Sequence, residues 1–133
     1  MGQIRAVLYC RVACDEQVLK AQEAMLLQYA GGNGYDVRAV LSDIDSGADM
    51  SRPSLRRIEE LAANGEVDMA LAAKCSRITR DSEALLDFVE RLARSGVELR
   101  TALDCMSTER LRTLRQIRGF IQEAASAGVV AGN

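Results

Sequence analysis

Short apolar runs alternate with longer amphipathic segments along most of the chain, and this alternation constrains the fold more than any other feature. Apolar runs of about four to eight residues suit buried parallel strands, and the helical segments between them suit the crossovers that parallel strands need. The pattern therefore predicts an α/β fold with a mostly parallel sheet of four or five strands and helices on both faces. The predicted strands cover 4–9, 35–41, 67–72 and 97–102.

The helices between these strands have ordinary start and stop signals. Asp15 can cap the first helix, and Pro53 suits the first position of the second. Asp81 or Ser82 begins the third, which stops at Gly96. The first helix is predicted over 16–30 and the second from 53 to about 64–65.

The last segment differs because no strand follows it. Apolar residues recur at helical spacing over about 106–127, with arginines on the rest of the surface. We expect a single domain over 1–133, with a core at 4–103 and this long helix after it. No DNA-binding module is expected in this chain.

Composition argues against several kinds of site. The 133-residue chain has no histidine, and its four cysteines form no C-x-x-C pair. Common zinc sites and histidine-activated nucleophiles are therefore not expected. No apolar run approaches the ~20 residues that span a bilayer, and the start lacks the apolar stretch of a signal peptide. We expect a cytoplasmic protein with no membrane contact, no metal and no small-molecule cofactor.

The positive charge is almost entirely arginine. The net charge of −2 argues against strong sequence-independent binding to nucleic acid, which is usually a property of basic domains. Arginine, however, presents a planar fork of donors that fits phosphate. The position of each arginine must therefore decide which of them could bind an anion.

Polar side chains gather in the three loops predicted to follow the first three strands. The carboxyl ends of parallel strands share one edge of the sheet, where α/β proteins place their sites. Arginines that meet there could hold a phosphate, or they could be solvated and paired with Asp43 or Asp81. The loop residues are Arg11, Cys14 and Gln17 in the first, Asp43, Ser46 and Arg52 in the second, and Ser76, Arg77 and Arg80 in the third.

Three motifs in these loops match one family in order and spacing. Segment 9–17, Tyr-Cys-Arg-Val-Ala-Cys-Asp-Glu-Gln, is similar to Y-x-R-V-S-[ST]-x-x-Q. Segment 43–47, followed by Arg52 and Pro53, is similar to D-x-x-S-G and R-P-x-L, and segment 76–80 to D-R-L-x-R. Over roughly residues 4–125 the chain resembles the catalytic domain of the serine site-specific recombinases, the resolvase/invertase family.

The resemblance implies a resolvase-like three-layer fold and DNA cleavage and rejoining through a serine-phosphate intermediate. It also implies that the long final helix dimerises and approaches DNA. The expected partners are therefore DNA, bound weakly without a separate DNA-binding domain, and further copies of the chain in a homodimer or tetramer. By position, the scissile phosphate would be held by Arg11, Arg52, Arg77 and Arg80, with Gln17, Asp43 and Ser46 around it.

Two positions depart from the family pattern. Ala13 stands at the place of the nucleophilic serine, and its methyl group cannot attack phosphorus. Ser76 stands where the third motif usually has a carboxylate. Cys14 is adjacent to Ala13 and could be a substitute nucleophile if its thiolate reached the phosphorus atom.

Three functional hypotheses follow. The first is a recombinase catalytic domain that is inactive as it stands because Ala13 has replaced the nucleophile. The second is a regulatory or interaction protein that pairs through its final helix with itself or with an active recombinase. The third is a nuclease or phosphotransfer enzyme that uses the arginine pocket with a different nucleophile.

Overall fold

The computed structural model describes residues 2–44 and 52–126, and its strands and helices alternate as the sequence pattern predicts. Asp15 and Asp81 accept main-chain N–H groups in the first turns of the helices that follow them. This confirms Asp15 as the cap of the first helix and confirms the helix start predicted at Asp81 or Ser82. In chain order the elements are β1 Arg5–Val12, α1 Glu16–Gly32, β2 Asp36–Ile44, α2 Pro53–Ala63, β3 Met69–Ala72, α3 Cys75–Ile78, α4 Ser82–Arg94, β4 Glu98–Thr101 and α5 Thr108–Ser126.

Within the described ranges the strands form one four-stranded parallel sheet in the order β2-β1-β3-β4. Tyr9 of β1 lies opposite Leu41 of β2 on one side and Ala72 of β3 on the other. β1 is therefore hydrogen-bonded along both edges, and all of its residues after Arg5 are buried. This arrangement confirms the predicted parallel α/β sheet.

Helices cover both faces of the sheet. Successive side chains of β1 point to opposite faces, so Leu8 and Cys10 pack with residues of α1, whereas Val7 and Tyr9 pack with residues of α2 and α4. Leu111 of α5 joins the second of these clusters. The result is the predicted three-layer arrangement of helix, sheet and helix.

β1 and β2 each continue three residues past their predicted ends at 9 and 41. Parallel pairing extends through Arg11 opposite Asp43 and Val12 opposite Ile44. The prediction that Arg11 and Asp43 lie in loops was therefore wrong, because main-chain hydrogen bonds continue the ladder where the apolar side-chain pattern has already ended.

Two further predicted boundaries need correction. The third strand-end loop, predicted without regular structure, contains the short helix α3. The final helix begins at Thr108 rather than 106, because Met106 bonds back to Thr101 of β4. Residue 127, the predicted end of this helix, lies outside the described residues.

The long helix α5 is attached to the domain along one side. Arg112 forms two hydrogen bonds to the Glu90 carboxylate of α4, at 2.7 and 3.0 Å. The other side exposes an apolar stripe, defined as Leu114, Ile117, Phe120 and Ile121, in which Phe120 is 73% exposed. None of the helices in the described part of the chain combines the length and apolar character needed to cross a membrane.

Candidate active site

Tyr9, Asp43 and Arg52 form a hydrogen-bonded group that joins β1, β2 and the start of α2. The Tyr9 hydroxyl donates to Oδ2 of Asp43 at 2.8 Å and accepts from Nη1 of Arg52 at 2.8 Å. The Arg52 guanidinium carbon also lies 5.7 Å from the centroid of the Tyr9 ring. Arg52 is only 4% exposed, so these contacts compensate the cost of burying its charge.

Arg11 connects the end of β1 to the third strand-end loop. Its side chain is 3% exposed, and it donates from Nε to the main-chain oxygen of Arg77 at 2.9 Å. Its Nη2 donates to the main-chain oxygen of Ser76 at 2.6 Å. Arg77 donates in return from Nη1 to the main-chain oxygen of Arg11 at 3.3 Å. Each of these two arginines therefore donates a hydrogen bond to the main-chain oxygen of the other.

Gln22 is a site residue that the sequence reasoning missed. Its side-chain oxygen accepts the main-chain N–H of Arg11 at 3.1 Å, and its amide nitrogen donates to the main-chain oxygen of Arg11 at 3.3 Å. Gln22 is buried on α1, at helical spacing between Leu19 and Leu26, which are both in the core. A polar residue inside this apolar stripe was the signal that could have revealed it.

The first motif places its remaining residues at the surface just after β1. Ala13 and Cys14 are exposed in the turn before α1, and Gln17 is exposed in the first turn of that helix. Ala13 therefore follows directly on the strand that carries Tyr9 and Arg11. The position is accessible from solvent and lies two residues from the Arg11 backbone.

The third loop contributes residues of different exposure. Arg77 is half-buried in α3, whereas Ser76 and Arg80 are exposed. Contacts within the described residues thus join Arg11 to Arg77, and join Arg52 to Asp43 through Tyr9. Ser46, which was predicted to lie near the phosphate, is outside the described residues.

The cysteines differ in their fitness as nucleophiles. Burial raises the pKa of the Cys10 thiol to about 12, and burial, followed by the nearby Asp104 carboxylate, raises the pKa of Cys75 to about 12. Both thiols stay protonated near neutral pH, which makes them poor nucleophiles. Cys14 is exposed.

Over residues 2–44 and 52–126 no group of three or more His, Cys, Asp or Glu side chains could hold a metal ion.

The described contacts therefore bring two of the predicted cations, Arg11 and Arg77, together at the carboxyl end of β1. The model of one protein family, the N-terminal domain of resolvases, matches this chain over residues 6–131. The chain belongs to the resolvase family. This finding confirms the relationship that the three motifs suggested.

A resolvase from Clostridium perfringens is similar to this domain in sequence. The two are 31% identical over 97 residues, which make up 72% of this chain and 48% of that protein. This resolvase-family chain thus spans about half the length of the curated relatives it matches. The aligned part includes most of the domain.

Solved structures of serine recombinase domains share the fold. The N-terminal catalytic domain of TP901-1 integrase has a TM-score of 0.81 at 23% identity, covering 91% of this chain and 98% of that chain. A resolvase-family site-specific recombinase from Streptococcus pneumoniae has a TM-score of 0.70 at 23% identity, with 96% and 97% covered.

A third structure is closer in sequence. The C-terminal catalytic domain of ISC1926 TnpA, an IS607-like serine recombinase, is 30% identical, with a TM-score of 0.69. It covers 97% of this chain and 87% of that chain. These neighbours confirm the predicted resolvase-type fold.

Proposed function

We propose that this resolvase-family domain takes part in site-specific DNA recombination and that, with Ala13 at the nucleophile position, it does not cleave DNA itself. The observation that carries the proposal is the mutually hydrogen-bonded pair of Arg11 and Arg77 beside the end of β1, where position 13 carries a methyl group and not a hydroxyl. The domain keeps groups that position and neutralise a phosphate, but the atom that would form the new bond is absent.

Phosphate binding and DNA cleavage depend on different groups, so a domain can keep the first and lack the second. Arginines stabilise the charge that spreads over the phosphate oxygens in the transition state. A covalent route also needs a nucleophile in line with the leaving oxygen, about 3–3.5 Å from phosphorus. The methyl group of Ala13 has no lone pair, so no protein-DNA intermediate forms at this position. Phosphate binding at Arg11, Arg52, Arg77 and Arg80 would remain.

We further propose that the chain assembles through α5 as a homodimer or tetramer, and that it acts on DNA in the cytoplasm. The apolar stripe of α5 supports this assembly, since exposed patches of this kind mark contact surfaces. Without a separate DNA-binding domain, DNA binding is weak because the net charge is −2. It is salt-dependent because it relies on contacts between arginines and phosphates.

A regulatory role is the second candidate, and Ala13 together with the α5 stripe favours it. Such a chain would pair with an active recombinase and occupy one position of its assembly without cutting its own strand. The two candidates differ in whether restoring the nucleophile restores cleavage.

The deciding experiment compares the native chain with Ala13→Ser, each fused to a DNA-binding domain of known target. The substrate is a labelled supercoiled plasmid that carries two target sites flanking a randomised central segment. After a denaturing quench, a protein-DNA adduct is expected with Ala13→Ser and not with the native chain or with Ala13→Gly. An adduct of the native chain that disappears in Cys14→Ala would identify Cys14 as the nucleophile and refute the proposed inactivity. No adduct with Ala13→Ser would favour the regulatory role.

A further inference from the structure

The turn between β4 and α5 reaches the third strand-end loop through a carboxylate outside the proposed phosphate site. Oδ2 of Asp104 accepts the main-chain N–H of Cys75 at 3.1 Å, and Oδ1 accepts the Thr101 hydroxyl. Oγ1 of Thr101 in turn accepts the main-chain N–H of Met106 at 2.9 Å. Thr101 is 1% exposed, so it holds the surface carboxylate in one place.

Two main-chain hydrogen bonds hold this turn against the end of β3. The N–H of Ala102 donates to the oxygen of Ala72 at 3.0 Å, and the N–H of Leu103 donates to the oxygen of Ala73 at 2.8 Å. The two residues before Asp104 are therefore hydrogen-bonded to the end of β3 and to the first residue of the third loop. A displacement of one of them displaces the other.

The helix α3 depends on this outside partner. It has four residues, and its N-cap residue Lys74 makes no side-chain capping hydrogen bond. The first N–H groups of a helix have no acceptor within the helix, and a carboxylate near them is favourable. Asp104 supplies that acceptor from 29 positions further along the chain. The cap of α3 is therefore a tertiary contact.

The main-chain oxygens of α3 hold the Arg11 guanidinium. Ser76 and Arg77 accept from Arg11 at 2.6 and 2.9 Å, while Arg77 donates back to the Arg11 backbone. The short helix thus lies between the Asp104 carboxylate and the two linked arginines. Any shift of α3 changes the placement of both guanidinium groups.

We propose that Asp104, held by Thr101, is a positioning residue of the phosphate site. It fixes α3 so that Arg11 and Arg77 keep the relative placement in which both can face a phosphate. Asp104 acts through α3 and touches neither guanidinium. Because it lies four residues before Thr108, the first residue of α5, the placement of the arginines also depends on how α5 begins. The phosphate in this inference rests on the proposed function, whereas the positioning does not.

Hydrogen exchange in the full chain tests the positioning without DNA. The probes are the Arg11 Nε–H and the Cys75 N–H, followed by nuclear magnetic resonance in the native chain and in Asp104→Ala, which removes both acceptor oxygens. Exchange at both is expected to be at least tenfold faster in the variant, with the β1 amides unchanged. The control is Asp36→Ala, which removes a carboxylate paired with Arg38 at the other end of β2. Unchanged exchange at Arg11, or equal acceleration throughout β1, would overturn the proposal.

Titration with inorganic phosphate, followed by the Arg77 Nε–H signal, supplies a second readout. In this titration a pure charge effect and a loss of positioning change phosphate affinity in opposite directions. Removal of a nearby negative charge alone would strengthen anion binding. Loss of positioning is expected to weaken phosphate binding at least threefold in Asp104→Ala. Stronger binding would contradict the proposal. A native chain that binds no phosphate would refute the proposed function while leaving the exchange result to decide on Asp104.

Thr101 offers a milder variant in case Asp104→Ala does not fold. Thr101→Val removes the hydroxyl that holds Asp104 and keeps the side-chain shape. It should accelerate exchange at Arg11 and Cys75, and Thr101→Ser should restore the native rates because it keeps the hydroxyl. Identical exchange in Thr101→Val and Thr101→Ser would count against the proposal.

Discussion

The Arg11 guanidinium donates to the main-chain oxygen of Arg77 at 2.9 Å, and the Arg77 guanidinium donates to the main-chain oxygen of Arg11 at 3.3 Å. Each cation is thus held by a main-chain oxygen of the other residue, and that oxygen partly neutralises its charge. The arrangement joins the end of β1 to a loop 66 positions away. It places both arginines at the strand end where Ala13 stands.

The first prediction concerns the stability that Arg11 contributes. Arg11→Met keeps the aliphatic length and leaves the oxygens of Ser76 and Arg77 without their charged donor. We expect the free energy of unfolding to fall by about 2–4 kcal/mol. A hydrogen bond to a charged group is worth roughly 1.5–3 kcal/mol, and two bonds from one side chain contribute less than their sum. Urea unfolding measures this change. In the control Arg57→Met, which breaks an exposed pair with Glu60, a loss under about 1 kcal/mol is expected.

The second prediction separates two glutamines of α1. Gln22→Leu removes both hydrogen bonds to the Arg11 backbone and should lower the free energy of unfolding by roughly 1–3 kcal/mol. Gln17→Leu changes an exposed side chain and should stay within about 0.5 kcal/mol of the native value. Equal effects of the two substitutions in urea unfolding would contradict the assigned role of Gln22.

The third prediction concerns the Tyr9 hydroxyl. Tyr9→Phe leaves the buried Arg52 guanidinium and the Asp43 carboxylate without the group that joins them. A loss of about 1–3 kcal/mol in the free energy of unfolding is expected, because two hydrogen bonds to charged groups are lost. Tyr29→Phe, a half-buried tyrosine of α1, is the matched control and should change stability little. A Tyr9→Phe protein as stable as the control would show that the group is not energetically important.

The fourth prediction concerns assembly through α5. The native chain is expected to sediment as a dimer or larger species at micromolar concentration, and Ile117→Asp should shift it toward the monomer. The reason is that a charge in the middle of the apolar stripe would be buried without a partner. Leu27→Asp places a charge on an exposed apolar position of α1 and should leave the sedimentation unchanged. A native chain that is monomeric at high micromolar concentration would refute the prediction.

The fifth prediction concerns acid stability. Hydrogen bonds from the Arg5 side chain and from its main-chain N–H lower the pKa of Asp68 from 3.8 to about 2. The folded state therefore binds this proton less readily than the unfolded state. The stabilisation from Asp68 is complete above about pH 4 and is lost as the pH falls through 2. Urea unfolding across this pH range measures the effect. In Asp68→Asn the free energy of unfolding should fall less steeply with decreasing pH than in the native chain, whereas Glu60→Gln should leave the slope unchanged.

Much of the fold follows from short-range features of the sequence. The alternation of strands and helices depends on side-chain periodicity. The first residues of α1 and α4 depend on the caps Asp15 and Asp81, which contact residues two or three positions away. The three motifs were also sufficient to indicate the family. The boundaries of β1 and β2 were predicted less well because pairing between distant strands extends them.

The sequence by itself determined the parallel α/β architecture, the strand-end placement of the arginine loops and the absence of a hydroxyl at Ala13, since each depends on residue type and local order. The tertiary structure decided which atoms those residues contact. Gln22 bonds to the Arg11 backbone, Tyr9 joins Asp43 to Arg52, and Asp104 caps α3. The residues in each of these contacts are separated by between 11 and 43 positions in the chain. The geometry of the contacts depends on strand order and helix packing. A periodicity or a motif contains no information on that geometry, because it records spacing along the chain and not direction in space.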